Sequence, residues 1–287
     1  MQIKFSKITG SGNDFIVIDN RRNIILSDNK EKIAPIVRHF CDRKMGIGAD
    51  GVLLLEKSKN ASFRMRVFNS DGSEAEMCGN GTRCITLFAK EKRIVRETTV
   101  SKGRFLKKIS IETLAGIIKA EVKNNNVKIQ MSKPSDFRKD IFLKIEEKPY
   151  KLHFINTGVP HTVLIVDDIE KAPVVAVGRK IRFDPKFSPA GTNVNFVKIK
   201  DRNNIIVRTY ERGVEDETLA CGTGLTACCC VLAFLGLVDS PVKVKTRGGE
   251  ILTVSLKKEN DIIKNIFFEG KVYWVFDGKI QQVVGSK

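Results

Sequence analysis

Two stretches decide the reading: "EMCGNGTRCITLFAK" at residues 76–90 and "LACGTGLTACCCVLAFLGL" at 219–237. Each writes Cys-Gly-x-Gly and then runs into an apolar, helix-like pattern. Glycine lets backbone N–H groups approach a ligand closely, and the first turn of a helix leaves donors without intrahelical partners. Such a terminus carries about half a positive charge and holds a carboxylate readily. The same field stabilises a thiolate, bringing a thiol pKa from about 8.5 toward neutrality. Each loop therefore offers an anion cradle and a poised proton-transfer group. Taken alone, either loop would equally suit a helix start with Cys as a small buried residue.

The surroundings of the two loops also repeat. "GSGNDFIVID" leaves a Gly-containing loop for a strand, and "NTGVPHTVLIVDD" does the same. "RMRVFNSDGSEAEMCGNG" runs from a strand through an acidic turn to Cys78, as "IVRTYERGVEDETLACGTG" runs to Cys221. Gly12 to Cys78 and Gly158 to Cys221 keep near-equal separations, as do Arg66 to Cys78 and Arg208 to Cys221. An ordered echo of several elements implies two similar lobes, 1–130 with Cys78 and 131–270 with Cys221, and a site between them.

Short alternating or β-branched runs dominate the rest: "QIKFSKI", "DFIVIDN", "FRMRVFN", "KISIETL", "VKIQM", "KLHFIN", "TVLIVDD", "NVNFVKI", "NIIVRTY", "VKVKTR" and "ILTVSL". Ala115-Gly116 and Gly248-Gly249 sit between strands as hairpin turns. Helical stripes fall near 30–42, where Ile33, Ile36, Val37, Phe40 and Cys41 share a face, and near 82–91, 170–180 and 224–237. The class is α+β, with many strands and few helices.

Composition sets limits. The chain has 287 residues, 42% hydrophobic and 29% charged, an ordinary globular balance with ample core. No apolar run approaches the roughly 20 residues that span a bilayer, and "MQIKFSKITGSGNDF" has no apolar signal core; the expected location is cytoplasmic, with no membrane partner. The net charge of +17 raises the question of nucleic acid. Yet the Lys and Arg are scattered, often beside Asp or Glu, with no interleaved stacking aromatics, so no nucleic-acid partner is expected. The seven cysteines, 41, 78, 84, 221, 228, 229 and 230, match no paired zinc spacing, and only three His are present, so no metal is expected. Cys228, Cys229 and Cys230 read as core packing.

Two matched thiols narrow the chemistry. Disulfide exchange usually places its pair as CxxC. Nucleophilic hydrolysis uses one Cys with a His and would leave a second idle. Inversion at a carbon acid needs one base on each face: a thiolate removes the α-proton while the opposite thiol returns one. Two helix N-termini would meet the charge that develops on the carboxylate. The chain has neither a phosphate cradle suited to pyridoxal phosphate nor a dinucleotide fingerprint, so the reading includes no cofactor.

"GSGNDF", "GIGADG", "FNSDGSEAEMCGNGTRC", "GVPH", "NVNF" and "YERGVEDETLACGTG" together resemble the diaminopimelate epimerase family, in its order and over nearly the whole chain. The resemblance implies two pseudo-symmetric lobes, each a curled, mostly antiparallel sheet around a central helix, with a final strand in 271–287 returning to the first lobe. It implies interconversion of LL- and meso-2,6-diaminoheptanedioate, in lysine and peptidoglycan-precursor biosynthesis. By position, Cys78 and Cys221 become the proton-transfer pair, Cys78 the donor and Cys221 the acceptor from LL to meso. Gly79, Asn80, Gly222 and Thr223 become the carboxylate cradle. Asn13, Asn69 and Asn193 become side-chain hydrogen-bonders, Glu211 and Arg212 the readers of the far amino-acid end, and His161 a supporting residue. His39 and His153 are left as structural, and a homodimer is left open.

Some positions depart from the family pattern. Val159 stands where many members have Asn, Gly51 where some have Gln, and "GVEDET" is a residue longer than the commoner form. The nearest alternative is a cofactor-independent racemase of a histidine- or proline-like amino acid. Against it, the proline type has His where Asn80 stands, and a free far end would leave Glu211 and Arg212 without a task. A basic binding protein and a thiol redox protein are the rivals of other classes.

Overall fold

The computed structural model describes residues 2–25, 29–95, 107–260 and 262–281. Its internal contacts divide the chain into two compact units, Met1–Ile129 with Gly270–Lys287, and Gln130–Glu269.

The first unit runs β1 (Gln2–Gly10), β2 (Asn13–Asp19), α1 (Lys30–Cys41), β3 (Gly51–Glu56), β4 (Phe63–Asn69), β5 (Glu74–Ala75), α2 (Gly79–Glu91), β6 (Lys107–Thr113), β7 (Gly116–Lys123) and β8 (Asn126–Gln130). Neighbours pair antiparallel, except that β2–β3 and β4–β6 are parallel. The two parallel steps are the ones bridged by α1 and α2, since a parallel return needs a crossover. In the first hairpin, Ser11 (φ 56°) and Gly12 (φ 85°) are both left-handed, and Gly10 pairs with Asn13. That turn matches the twist of the flanking strands and sets Asn13 at the head of β2.

The second unit runs β9 (Ser135–Ile145), β10 (Lys148–Asn156), β11 (Pro160–Ile165), α3 (Val174–Arg182), β12 (Asn193–Asp201), β13 (Asn204–Glu211), β14 (Asp216–Thr218), α4 (Gly222–Phe234), β15 (Val242–Lys245), β16 (Ile251–Glu259) and β17 (Ile262–Lys271). From β10 onward it repeats the pairing scheme of the first, with β11–β12 and β13–β15 as the parallel steps, bridged by α3 and α4. The last strand, β18 (Tyr273–Gln281), pairs antiparallel with β1.

In each unit one helix is the centre. α2 packs on β1, β2, β3, β4 and β7; α4 packs on the matching five, β10, β11, β12, β13 and β16. A helix touched by strands from across its own sheet is buried all round, and every residue from Asn80 to Ala89 and from Gly224 to Ala233 is buried. α4 meets this demand with "GLTACCCVLA", whose three cysteines are fully enclosed. It stops at Gly236, which takes φ 72° and returns its N–H to the Ala233 carbonyl. The outer helices cover the other face. Ile33, Val37 and Phe40 of α1 pack with Ile16, Ile18, Val52 and Leu54; Val174, Val177 and Ile181 of α3 pack with Leu164, Val194, Phe196 and Tyr210.

The α+β class, the pseudo-symmetry and the four helices agree with the sequence reading. The strands absent from that reading are β3, β5, β7, β9, β14 and β17, and two of them show why. β3, "GVLLLE", lies between β2 and β4 and carries helices on both faces, so it is apolar throughout and shows no alternation. β9, "SDFRKDIFLKI", is largely exposed, and Asp136 and Asp140 interrupt it with left-handed φ.

Candidate active site

Cys78 is the N-cap of α2, in extended conformation (φ −138°, ψ 117°), and its Sγ accepts the Gly81 N–H at 3.4 Å. Its carbonyl accepts both the N–H (2.7 Å) and the hydroxyl (2.8 Å) of Thr82. Cys221 caps α4 in the same conformation (φ −119°, ψ 106°), with Sγ 3.4 Å from the Thr223 hydroxyl. The glycine third from each cysteine allows close packing: a Cβ on Gly81 would lie 3.0 Å from Leu53, and one on Gly224 only 2.3 Å from the Asn195 side-chain oxygen. Gly222 likewise has the Phe268 ring 3.1 Å from where its Cβ would be. In both loops the sulfur therefore sits at the positive end of a buried helix. Elsewhere, burial pushes the Cys41 and Cys230 thiols up to about 12 and those of Cys228 and Cys229 well above the ordinary value.

Around Cys78 a polar relay fixes two amides. The Asn80 Nδ2 donates to Asn13 Oδ1 (2.8 Å), and Asn13 Nδ2 donates to Asp50 Oδ2 (3.0 Å). Asn80 Oδ1 accepts from Arg83 Nη2 at 2.8 Å. A guanidinium only donates and a carboxylate only accepts, so these ends leave no ambiguity about how either amide is turned. Arg83 is fully buried and also binds the Ser11 hydroxyl and the Lys271 carbonyl (3.2 Å), which ties α2 to the first hairpin and to the segment of the first unit that leads into β18. Beyond Asp50, Arg43 bridges Asp50 (2.7 Å) and Asp14 (2.8 Å), and Lys7 reaches Asp14 at 2.8 Å. Burial alone would raise the Asp14 carboxyl, but the Arg43 and Lys7 contacts hold it well below the usual range. Asn69 closes the turn after β4, where its side chain donates to Ser73 Oγ at 3.0 Å, and it is exposed.

In the second unit the register of β11, β12 and β13 brings His161, Asn193, Glu211 and Arg212 together, and the contacts of Gly224 with Asn195 and of Thr157 with Thr223 set the start of α4, with Cys221, Gly222 and Thr223, against the same strands. His161 pairs with Asn193, and Val194 with Tyr210. Both ends of the Asn193 amide are engaged within the unit: Nδ2 donates to the Pro160 carbonyl (2.9 Å), and Oδ1 accepts the Arg212 N–H (2.9 Å). It thus pins the corner carrying Glu211 and Arg212. Arg212 Nη1 donates to the Ala190 carbonyl at 2.8 Å, which orients the guanidinium. Burial pushes the Glu211 carboxyl up. His161 is fully buried, and burial, aided by the Arg212 charge, lowers it to about 3, so the ring is neutral. Thr157, in the loop that includes Val159, donates its hydroxyl to the Thr223 carbonyl at 3.0 Å and ties that loop to α4.

The other two histidines stand apart from these residues. His39 is on α1, and His153 on β10 accepts the Asp140 N–H at 3.3 Å. Gly51 has a structural reason in this chain, since a Cβ there would lie 2.5 Å from the Phe68 carbonyl oxygen. Among the described residues no three His, Cys, Asp or Glu side chains gather as a metal site would require, and no helix is long and apolar enough to cross a membrane.

Sequence reasoning missed Asp50, Arg83, Thr157 and Asn195, which hold the expected residues in place. Two of them left a signal. Arg83 is a charge inside the helical run "TRCITLFA", and Asn195 follows Asn193 at the two-residue spacing of one strand face.

A doubled α+β unit whose central helices both begin at a capping cysteine defines a narrow class, and comparison with known proteins agrees. The chain belongs to the diaminopimelate epimerase family, which matches residues 5–136 and 153–275. It is 47% identical to the diaminopimelate epimerase of Aquifex aeolicus (strain VF5), over 98% of this chain and 99% of that one. With that of Hydrogenobaculum sp. (strain Y04AAS1) the identity is 44%, over 96% and 97%. Among solved structures, a phenazine biosynthesis protein of the PhzF family from Bacillus anthracis shares the fold, with a TM-score of 0.73 at 16% identity over 98% of this chain and 99% of that one.

Proposed function

We propose that this chain is a cofactor-independent epimerase that interconverts LL- and meso-diaminopimelate, with Cys78 and Cys221 acting on one α-carbon. From LL to meso, the Cys221 thiolate takes the α-proton and becomes a thiol. The electron pair left on carbon delocalises into the carboxylate, and the Cys78 thiol delivers its proton to the opposite face and becomes a thiolate. The reverse reaction exchanges the roles. Proton count and charge balance over each turnover, and no oxidant or reductant is needed.

The observation that carries this reading is the pair of cysteine N-caps, each on a buried helix, in a chain of this family. Backbone N–H groups of Gly79 and Asn80, and of Gly222 and Thr223, lie ahead of their helical ladders and are suited to the carboxylate on which charge grows. Arg212 can grip the far carboxylate and Glu211 can accept from the far ammonium. Asn13 and Asn80 enter with their amides already turned by Asp50 and Arg83. Asn69 and Asn193 frame the substrate from turn and strand end, and His161 supports the reacting end. The reading places the reaction in lysine and peptidoglycan-precursor synthesis, with a small amino acid as the partner and the cytoplasm as its setting.

The test is incubation of the purified protein with LL-diaminopimelate and chiral chromatography of the products. Meso product from the wild type, and none from Cys78→Ala or Cys221→Ala variants that remain folded, is the expected result. Turnover of proline or histidine in place of diaminopimelate would favour the neighbouring racemase reading and overturn this one.

A further inference from the structure

The buried His161 ring leaves one nitrogen unused. Its Nε2 has no hydrogen-bond partner among the described residues. Its Nδ1 lies 3.2 Å from Asn195 Nδ2. Asn195 is itself fully buried, and three neighbours dictate how its amide is turned. The Thr162 carbonyl, 2.9 Å from Nδ2, can only accept, so the amide nitrogen must face it. The Thr209 hydroxyl donates to Oδ1 at 2.9 Å. Gly224, in the first turn of α4, leaves room for that oxygen and blocks the amide from moving toward the helix. One Nδ2 proton then goes to Thr162 and the other points at His161 Nδ1, which must offer a lone pair. The ring proton is left on Nε2. A buried donor without a partner is costly unless something arrives to accept from it.

We propose that Asn195 is a positioning residue that holds His161 as the neutral Nε2–H tautomer, so that the imidazole meets the substrate as a hydrogen-bond donor to an anionic group and not as a base. This rests on the epimerase reading for the identity of the substrate, but the tautomer itself does not. The Arg212 charge that acts on this ring favours the same kind of acceptor, a carboxylate. A base at this position would need a bare Nε2, and Asn195 would then have to turn its oxygen toward both Nδ1–H and the Thr162 carbonyl, an acceptor facing an acceptor.

The experiment is multiple-bond ¹H–¹⁵N spectroscopy of the ¹⁵N-labelled full chain at pH 7.5, with His161 assigned by the signal lost in His161→Gln. The expected spectrum has an unprotonated Nδ1 and a protonated Nε2, whose proton moves downfield when LL-diaminopimelate is added. A protonated Nδ1, an imidazolium, or an Nε2–H signal unmoved by saturating substrate would overturn the proposal. Asn195→Asp places a carboxylate against Nδ1 and should move the proton there, with kcat falling at least tenfold and KM changing less. Thr209→Val, a milder change that only frees Oδ1, should give a mixture of tautomers and a smaller loss of kcat. A pure Nε2–H pattern with full kcat in either variant would also overturn it. A wild type with the expected pattern but no epimerase activity would instead sink the functional reading alone.

Discussion

Arg208 holds Glu217 through two parallel bonds, Nε to Oε1 and Nη2 to Oε2, each 2.7 Å long. Arg66 holds Glu74 in the same way, at 2.7 and 2.9 Å. In both units the glutamate lies across the strand pair from the residue two beyond the arginine: Glu74 opposite Phe68, Glu217 opposite Tyr210. Each fork clamps the short strand that leads into a cysteine loop, and its side chains are largely buried.

Removing one partner strands a buried charge. Glu217→Gln or Glu74→Gln is expected to lower stability by about 3 kcal/mol, while Arg208→Lys keeps the charge but loses the fork. Urea unfolding of the three variants checks this. Midpoints unchanged from the wild type would show that the clamps do not hold the loops.

The capping geometry separates the stability of Cys78 from its chemistry. Its Sγ accepts from Gly81, a bond that a serine hydroxyl makes at least as well. Cys78→Ser should therefore melt no lower than the wild type yet lose epimerisation, whereas Cys78→Ala loses the cap, at about 1 kcal/mol, along with activity. Thermal unfolding beside an activity assay decides it, and an active serine variant would contradict the role of the thiol.

Gly224→Ala forces a methyl group to within 2.3 Å of Asn195 Oδ1, an atom fixed by burial and by Thr209. The expected cost is about 1–3 kcal/mol, together with a fall in kcat as the amide is displaced. Gly81→Ala meets the end of Leu53 at 3.0 Å and Cys78 at the ordinary contact distances of 3.4 and 3.6 Å, and should cost less. Equal effects of the two substitutions would mean that Asn195 yields easily.

The pH dependence of stability has a definite sign. Burial lowers His161 to about 3, and His153 is lowered too, so between about 6.5 and 3 the unfolded chain binds protons that the folded chain refuses. Stability is fully present above that window and falls as pH drops through it. Glu211, raised by burial, works in the opposite direction, gaining relative stability as acid is added. Denaturant midpoints from pH 7.5 to 4 should decline, and His161→Gln should flatten the decline. A His161→Gln slope equal to that of the wild type would place the titration elsewhere.

Much of the fold is legible because the strands alternate and the Cys-Gly-x-Gly loops recur in an ordered frame. β3 escapes because both of its faces are buried, and β9 because only its last residues, Leu143 and Ile145, are buried. At the candidate site, the residues that carry chemical groups stand in recognisable loops, but those that turn them do not. Glu74 and Glu217 look like ordinary acidic turn residues until the strand register sets them beside Arg66 and Arg208. Asn13 and Asn80 are far apart in the chain, and only the first hairpin and the α2 cap bring their amides to 2.8 Å. Arg83 reads as a surface charge unless the helix is known to be enclosed.

The most direct test of two thiols acting on one carbon is turnover of LL-diaminopimelate in heavy water, stopped at low conversion, with deuterium located at the α-carbons. The account predicts meso product carrying deuterium at its inverted centre while the unreacted LL form keeps its hydrogen. Meso product that retains the original hydrogen would mean that a single base serves both faces, and would contradict the paired roles of Cys78 and Cys221.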